Sequence, residues 1–371
     1  LSVTVHNGDC RDVLAAMPEA SVDAVVTDPP YGLSSGENAK TGFMGKEWDR
    51  GVPGVDVWAE VFRVLKPGAH VLAFGGTRTY HRLVCAIEDA GFEIRDQIGW
   101  AYGTGFPKSL NVSKAIDAAS GAEREVVGPN PNGRPNMVRV NASVLSPRVD
   151  APITASATPE AAAWEGWGTA LKPAWEPIVV ARKPLIGTVA ANVMRFGTGA
   201  LNIDATRVGT EGGTAKGTLP KGKSNGVYGD GLNGACEIKQ LDAGRWPANL
   251  VHDGSDEVLG LFPGTPMTGF GDSGSAARFF YCAKASKAER GEGNTHMTVK
   301  PIALMRWLVR LVTPPGGCVL DPFAGSGTTG LAAMAEGFAA TLIEAEAPYA
   351  DIIASRLERA KATPVQETMD L

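Results

Sequence analysis

Apolar residues keep a strand or helix rhythm at both ends of this chain and lose it through much of the middle. Residues 2–7 read as a strand, and Asp9 is placed to cap a helix running to Met17, which Pro18 stops. Val22-Asp23-Ala24-Val25-Val26-Thr27 is rich in β-branched residues, which predicts a strand buried in a parallel sheet. Trp58, Val61, Phe62 and Leu65 share one helical face, ended by Lys66-Pro67-Gly68. Residues 71–74 predict another strand, 80–90 a helix capped by Gly91, and 92–102 a further strand.

From residue 128 to about 163 the pattern gives way to Pro, Asn, Ser and Ala, which predicts a mobile loop or linker. A short ordered return follows over 167–181, and 185–294 is rich in Gly, Asn and Thr with little periodicity, as in an irregular insert. Regular pattern resumes at Pro301, which suits the first turn of a helix burying Ile302, Met305, Leu308, Val309 and Val312. Cys318-Val319-Leu320 and Ala340-Thr341-Leu342-Ile343 predict strands; 328–336, closed by Gly337, and 349–361 predict helices. Strand–helix alternation at both ends implies an α/β fold with a doubly wound, mostly parallel sheet. The expected divisions are a first half of the core over 1–127, a linker over 128–163, a return segment over 164–184, an insert over 185–293 and a second half of the core over 294–371.

With 371 residues, 44% apolar and 20% charged, the chain fits an ordinary globular protein of one large domain or two modest ones. Its opening residues resemble a strand and not a charged signal segment, and no apolar run is long enough to span a bilayer, so no membrane partner is expected. Five scattered cysteines form no CxxC pair, and the histidines show no HExxH spacing, so neither a metal site nor a disulfide framework is expected. The odd cysteine count favours a reducing, cytoplasmic compartment. A net charge of -5 argues mildly against a nucleic-acid partner. Yet Arg278, Lys284, Lys287, Arg290, Lys300, Arg306 and Arg310 face only Glu289 and Glu292 in their stretch, and a basic face on an acidic body suffices for phosphate contact.

Two motifs carry chemistry. Asp321-Pro322-Phe323-Ala324-Gly325-Ser326-Gly327-Thr328-Thr329-Gly330 joins a predicted strand to a helix, and its glycines let the backbone approach a ligand closely. Glu344 ends the next strand, where a carboxylate can accept bonds from ribose hydroxyls. Alone, the GxGxxG spacing also suits a nicotinamide-dinucleotide enzyme. Such a fold opens with this unit, however, and here the chain has little left after Glu344, so its sheet needs strands from the N-terminal end. Asp28-Pro29-Pro30-Tyr31 directly follows the buried strand. Its prolines fix the backbone and leave carbonyl acceptors, Asp28 adds a carboxylate, and Tyr31 adds a flat ring. That set can seat the exocyclic amine of a flipped base.

Together, and in this order, the motifs resemble those of the beta class of amino-methylating DNA methyltransferases. Gly8-Asp9 resembles the element contacting the adenine of S-adenosylmethionine. Asn294-Thr295-His296-Met297-Thr298-Val299-Lys300-Pro301 resembles a cofactor motif of the family, with Met297 in place of its first Pro. Trp100-Ala101-Tyr102-Gly103-Thr104-Gly105-Phe106-Pro107-Lys108-Ser109 and Leu171-Lys172-Pro173-Ala174-Trp175-Glu176-Pro177 resemble segments of phage and bacterial members that line the base pocket. The resemblance implies a methyltransferase sheet in circularly permuted order with target recognition in the insert. It implies S-adenosylmethionine as cofactor without a metal, double-stranded DNA as partner, and room for a homodimer. Asp28, Pro29, Pro30 and Tyr31 would be catalytic. Asp9, Cys10, Asp28, Thr298, Lys300, Asp321, Phe323, Ala324, Gly325, Ser326, Gly327, Thr328, Thr329 and Glu344 would bind cofactor. Asp28 favours adenine N6 over cytosine N4, since members acting on cytosine more often have Ser there. A NAD-dependent oxidoreductase leaves Asp28 to Tyr31 unexplained, and a non-catalytic DNA-binding module is the third reading.

Overall fold

The computed structural model describes residues 2–32, 51–105, 107, 109–129, 136–141, 144–148, 152–209, 217–219, 236–238, 244–268, 272–283 and 299–362. One sheet organises most of them. Its strands are β1 (Val3–Asn7), β2 (Val22–Thr27), β3 (Leu65–Phe74), β4 (Glu93–Ala101), β5 (Trp175–Arg182), β6 (Leu250–His252), β7 (Tyr281–Cys282), β8 (Cys318–Asp321) and β9 (Ala339–Glu344). They lie in the order β1-β9-β8-β2-β3-β5-β4-β6-β7. All neighbours pair in parallel except those of β5, which runs antiparallel between β3 and β4.

The strand order joins the two ends of the chain. Val3 to Asn7 pair in register with Ala340 to Glu344, and Ala24 and Val25 pair with Val319 and Leu320. The C-terminal strands β8 and β9 thus sit between the N-terminal strands β1 and β2. Every residue of β2 is buried, as its richness in β-branched residues predicts.

Helices cover both faces of the sheet. On one face Leu14 of α1 (Cys10–Ala16), Trp58 and Val61 of α2 (Val55–Val64), and Leu83 and Ile87 of α3 (Tyr80–Asp89) pack on Val25, Val71 and Leu320. On the other, α4 (Val189–Phe196) aside, Leu304, Met305 and Leu308 of α5 (Ile302–Val312), Ala332 of α6 (Thr328–Ala335) and Ile353 of α7 (Ala347–Ala362) pack on Val26, Phe74 and Leu342. Asp9 caps α1, its carboxylate accepting from Arg11 N at 2.9 Å.

Three expectations need correction. The strand expected from residue 71 begins at Leu65, directly after α2. Leu65 returns to pair with Val22, and the register then jumps to Ala24 opposite His70, so Lys66-Pro67-Gly68 is a bulge and not a break. The expected linker over 128–163 falls inside a second compact unit, Thr104–Ala174. There Asn136–Asn141 and Val144–Arg148 form a hairpin, and Pro159–Ala163 and Val112–Ser120 are helices. Its buried Asp117 carboxylate accepts from Thr158 N at 3.1 Å, Thr158 Oγ1 at 2.8 Å and Arg124 Nη1 at 2.6 Å, a network that periodicity does not reveal.

The expected irregular insert also contributes to the core. It supplies β6, β7 and helix α4, which Thr188 caps at its start and Gly197 closes in the left-handed region. Asn192 anchors α4 at the amino end of β3, its amide donating to Pro67 O at 2.9 Å and Thr198 O at 2.8 Å.

Gly330 lets α6 approach the joint between the chain ends. A Cβ there would lie 2.5 Å from Leu342 Cδ1 and 3.3 Å from Val3 Cγ1. Gly330→Val should therefore overpack this joint and lower the unfolding free energy by about 1–3 kcal/mol. Urea denaturation measures it; an unchanged midpoint and slope would show that the helix has room to move off.

Candidate active site

The carboxyl ends of β1, β9, β8 and β2 lie side by side, the edge at which open α/β sheets bind ligands. At the end of β8 the Asp321 carboxylate is buried. It accepts from Thr27 Oγ1 at 2.6 Å, from Phe323 N at 3.1 Å, and from the Thr329 hydroxyl. It thereby ties the end of β2, the glycine loop and the first turn of α6 into one piece. Burial pushes its pKa up to about 6, although these hydrogen bonds favour the ionised form.

The loop itself is held from behind. Gly327 adopts φ 78°, and a Cβ there would lie 2.9 Å from Ile353 Cγ2 of α7. Arg356, also on α7 and buried, donates to Ser326 O at 2.5 Å and to Ser326 Oγ at 2.9 Å. Glu344, at the end of β9, accepts from Gly325 N and Glu346 N, both at 2.8 Å, and burial raises its pKa. Ala324, Ser326, Thr328 and Thr329 are buried, with the Thr329 hydroxyl on Asp321 and the Thr328 hydroxyl facing Arg356 at 3.4 Å. Phe323 and Gly325 keep partial exposure. Several residues expected to touch a ligand thus also shape the loop.

Asp9 and Cys10 join this cluster through β1. Gly8 N and Asn7 Nδ2 donate to Glu344 O at 3.0 and 2.8 Å, which places the start of α1 beside the Glu344 strand end. Asp9 pairs with Arg11 at 2.7 Å. Cys10 is half-buried, and burial, with Asp9 beside it, pushes its thiol up to about 11.

The second cluster starts one residue beyond Thr27. Asp28, Pro30 and Tyr31 are partly exposed, and Pro29 is buried. Thr79 Oγ1 donates to Tyr31 O at 2.5 Å and fixes the segment against the turn after β3. Tyr31 OH donates to Asp28 Oδ1 at 2.8 Å, while Lys300 Nζ donates to Asp28 Oδ2 at 2.7 Å and to Tyr31 OH at 3.0 Å. Lys300 also lies 3.2 Å from Glu176 Oε2 and 4.7 Å from the centre of the Phe74 ring. Burial works against the Lys300 charge, but Asp28 and Glu176 outweigh it and hold its pKa above the ordinary lysine range. Burial, with Asp28 and Glu176 adding to it, holds the Tyr31 phenol well above its usual value.

The candidate residues therefore fall into two adjoining groups at one edge. Asp9, Cys10, Gly325 and Glu344 form one; Asp28, Tyr31 and Lys300 form the other; the Thr27–Asp321 bond links them. Thr298 and Lys108 lie outside the described residues. Glu176, quoted above only within a longer segment, belongs to the second group. Its signal was a carboxylate heading an otherwise apolar strand. Among the described residues no group of three or more His, Cys, Asp or Glu could hold a metal ion, and no helix is long and apolar enough to cross a membrane.

Glu344 commits each oxygen to one backbone N–H and retains acceptor capacity. Comparison with known proteins gives a DNA methylase family model matching residues 22–355. The type II methyltransferase M.HindIII of Haemophilus influenzae is 24% identical over 365 residues, covering 89% of this chain and 86% of its own. M.ScaI of Streptomyces caespitosus is 40% identical over 76 residues, which are 20% of this chain and 24% of its own. The solved PvuII DNA methyltransferase, described as cytosine-N4-specific, superposes with a TM-score of 0.47 at 14% identity, covering 96% of this chain and 86% of its own.

The buried Asp321 makes stability depend on pH. Its folded pKa of about 6 lies above the value near 3.9 expected in the unfolded chain. Between these values the folded state holds a proton that the unfolded state has released, so this carboxyl costs stability as pH rises through the window. The unfolding free energy of the wild type minus that of Asp321→Asn should fall by about 1–3 kcal/mol between pH 4 and 6.5. Denaturation of both proteins across that range tests this, and a flat difference would contradict it.

Proposed function

We propose that this chain, which belongs to the DNA methylase family matched across residues 22–355, methylates the exocyclic N6 of an adenine flipped out of duplex DNA. The chain is a DNA methyltransferase; the choice of base and the roles of individual residues are the proposal. S-adenosylmethionine, when bound, supplies a methyl group on a positively charged sulfonium. Glu344 would take its ribose, the Gly8 to Cys10 turn its adenine, and the Phe323 to Gly325 backbone its methionine end. The dinucleotide reading of the loop falls with family membership.

The observation that carries the reading is the Asp28 carboxylate, placed one residue beyond the strand end that Asp321 fixes beside the loop. Each Asp28 oxygen accepts one internal donor, Tyr31 or Lys300, and each retains acceptor capacity for an amino hydrogen. Accepting those hydrogens frees the nitrogen lone pair from the ring, and holding the amine at a fixed point supplies orientation. Tyr31 offers its ring for stacking on an extruded base. The choice of adenine rests on the family resemblance, in which members acting on cytosine more often have Ser where Asp28 stands.

Target reading over 185–293 remains part of the proposal. Helix α4 is tied to the amino end of β3, away from Asp28. The stretch after β6 begins at the catalytic edge, where Asp253 Oδ2 accepts from Gly103 N at 2.9 Å. That stretch is the better candidate for contacting bases.

Unmethylated duplex DNA incubated with labelled S-adenosylmethionine and digested to nucleosides should yield N6-methyladenosine-type product. N4-methylcytosine would move the base assignment, and no label in any nucleoside would defeat the function. Asp28→Ala should lower transfer by about 100-fold or more. S-adenosylhomocysteine at about 100 times its Kd should add about 2.7 kcal/mol of stability. Thermal unfolding reports this, and an unmoved Tm at saturating ligand would contradict the cofactor cradle.

A further inference from the structure

Glu176 is an expensive residue to keep where it stands. It is the second residue of β5, opposite Trp100, and leads directly into the buried run from Pro177 to Arg182. Its side chain is 18% exposed, beside Lys300 at 9%. A carboxylate in such a place is retained only if it is paired. Among the described residues its partners lie at the catalytic edge: Lys300 Nζ at 3.2 Å, Tyr31 OH at 3.3 Å and the Tyr102 hydroxyl.

Resting on the methyl-transfer reading, we propose that Glu176 is a positioning residue: it shares the Lys300 ammonium with Asp28 and so keeps Asp28 aimed and negatively charged toward the target amine. Two carboxylates face one ammonium, which leaves a single formal negative charge in the cluster. Without Glu176, Lys300 would neutralise Asp28 alone and could swing further onto it, covering the acceptor that the amine needs. Lys300 is fixed from both sides here, since Asp28 and Tyr31 hold it from the segment after β2 and Glu176 holds it from β5.

Among the described residues, the groups facing Lys300 are Asp28 and Tyr31 after β2, Glu176 on β5 and Tyr102 after β4. A glutamate that only held the fold would alter cofactor affinity along with kcat.

The test compares wild type, Glu176→Gln and Glu176→Asp for kcat and KM in methyl transfer to DNA, with S-adenosylhomocysteine affinity as the folding control. Glu176→Gln should lower kcat by about 10- to 100-fold and leave KM and cofactor affinity within about two-fold. Glu176→Asp should recover part of kcat. A Gln variant with wild-type kcat would overturn the assignment. If the Gln variant fails to fold, the Asp variant decides alone. Reduced kcat at unaltered cofactor affinity supports the role, and wild-type kcat overturns it, because the shorter side chain withdraws from Lys300. Wild-type protein that methylates no DNA would overturn the underlying reading as well; an active wild type beside an unaffected Gln variant overturns this assignment only.

Discussion

The Asp321 carboxylate, buried between Thr27 and Thr329, is the bond on which the site depends. Thr27 ends the strand that leads to Asp28, and Thr329 begins the helix that closes the glycine loop. A single acid therefore sets the spacing between the part of the site that would hold a methyl donor and the part that would hold its acceptor. Keeping this acid out of water raises its pKa, which is the energetic cost of that placement. Parallel pairing of β8 with β2 supplies the coarse alignment, and the Asp321 hydrogen bonds supply the fine one.

Charge organises the neighbouring cluster in a complementary way. Lys300 keeps its proton despite burial because two acids, Asp28 and Glu176, face it. Each member is tolerable inside the protein only with the others present. The arrangement is rigid without being neutral, which suits a site that receives a positively charged sulfonium group. Around Glu344 the charge is met differently, each carboxylate oxygen accepting from one backbone N–H, of Gly325 or Glu346.

Much of this was legible from residue patterns, for identifiable reasons. The β-branched residues of β2 read as a strand buried in a parallel sheet. The motif after it and the glycine loop were visible because both depend on residue types with special backbone behaviour. What escaped notice was short or nonlocal. Strands β6 and β7 are too brief to show a period. Helix α4 was hidden by its Gly- and Thr-rich surroundings, although Thr188 and Gly197 are ordinary cap residues. Asp117 and Glu176 each read as one more charge, since their meaning lies in partners such as Thr158 and Lys300, distant in sequence.

The central claim is that one ligand is gripped by both ends of the chain at once. Amide hydrogen exchange with and without S-adenosylhomocysteine tests it most directly. The account predicts slowed exchange together in peptides spanning residues 8–11 and 323–329. Slowing confined to one end of the chain, with the other unchanged at saturating ligand, would contradict it.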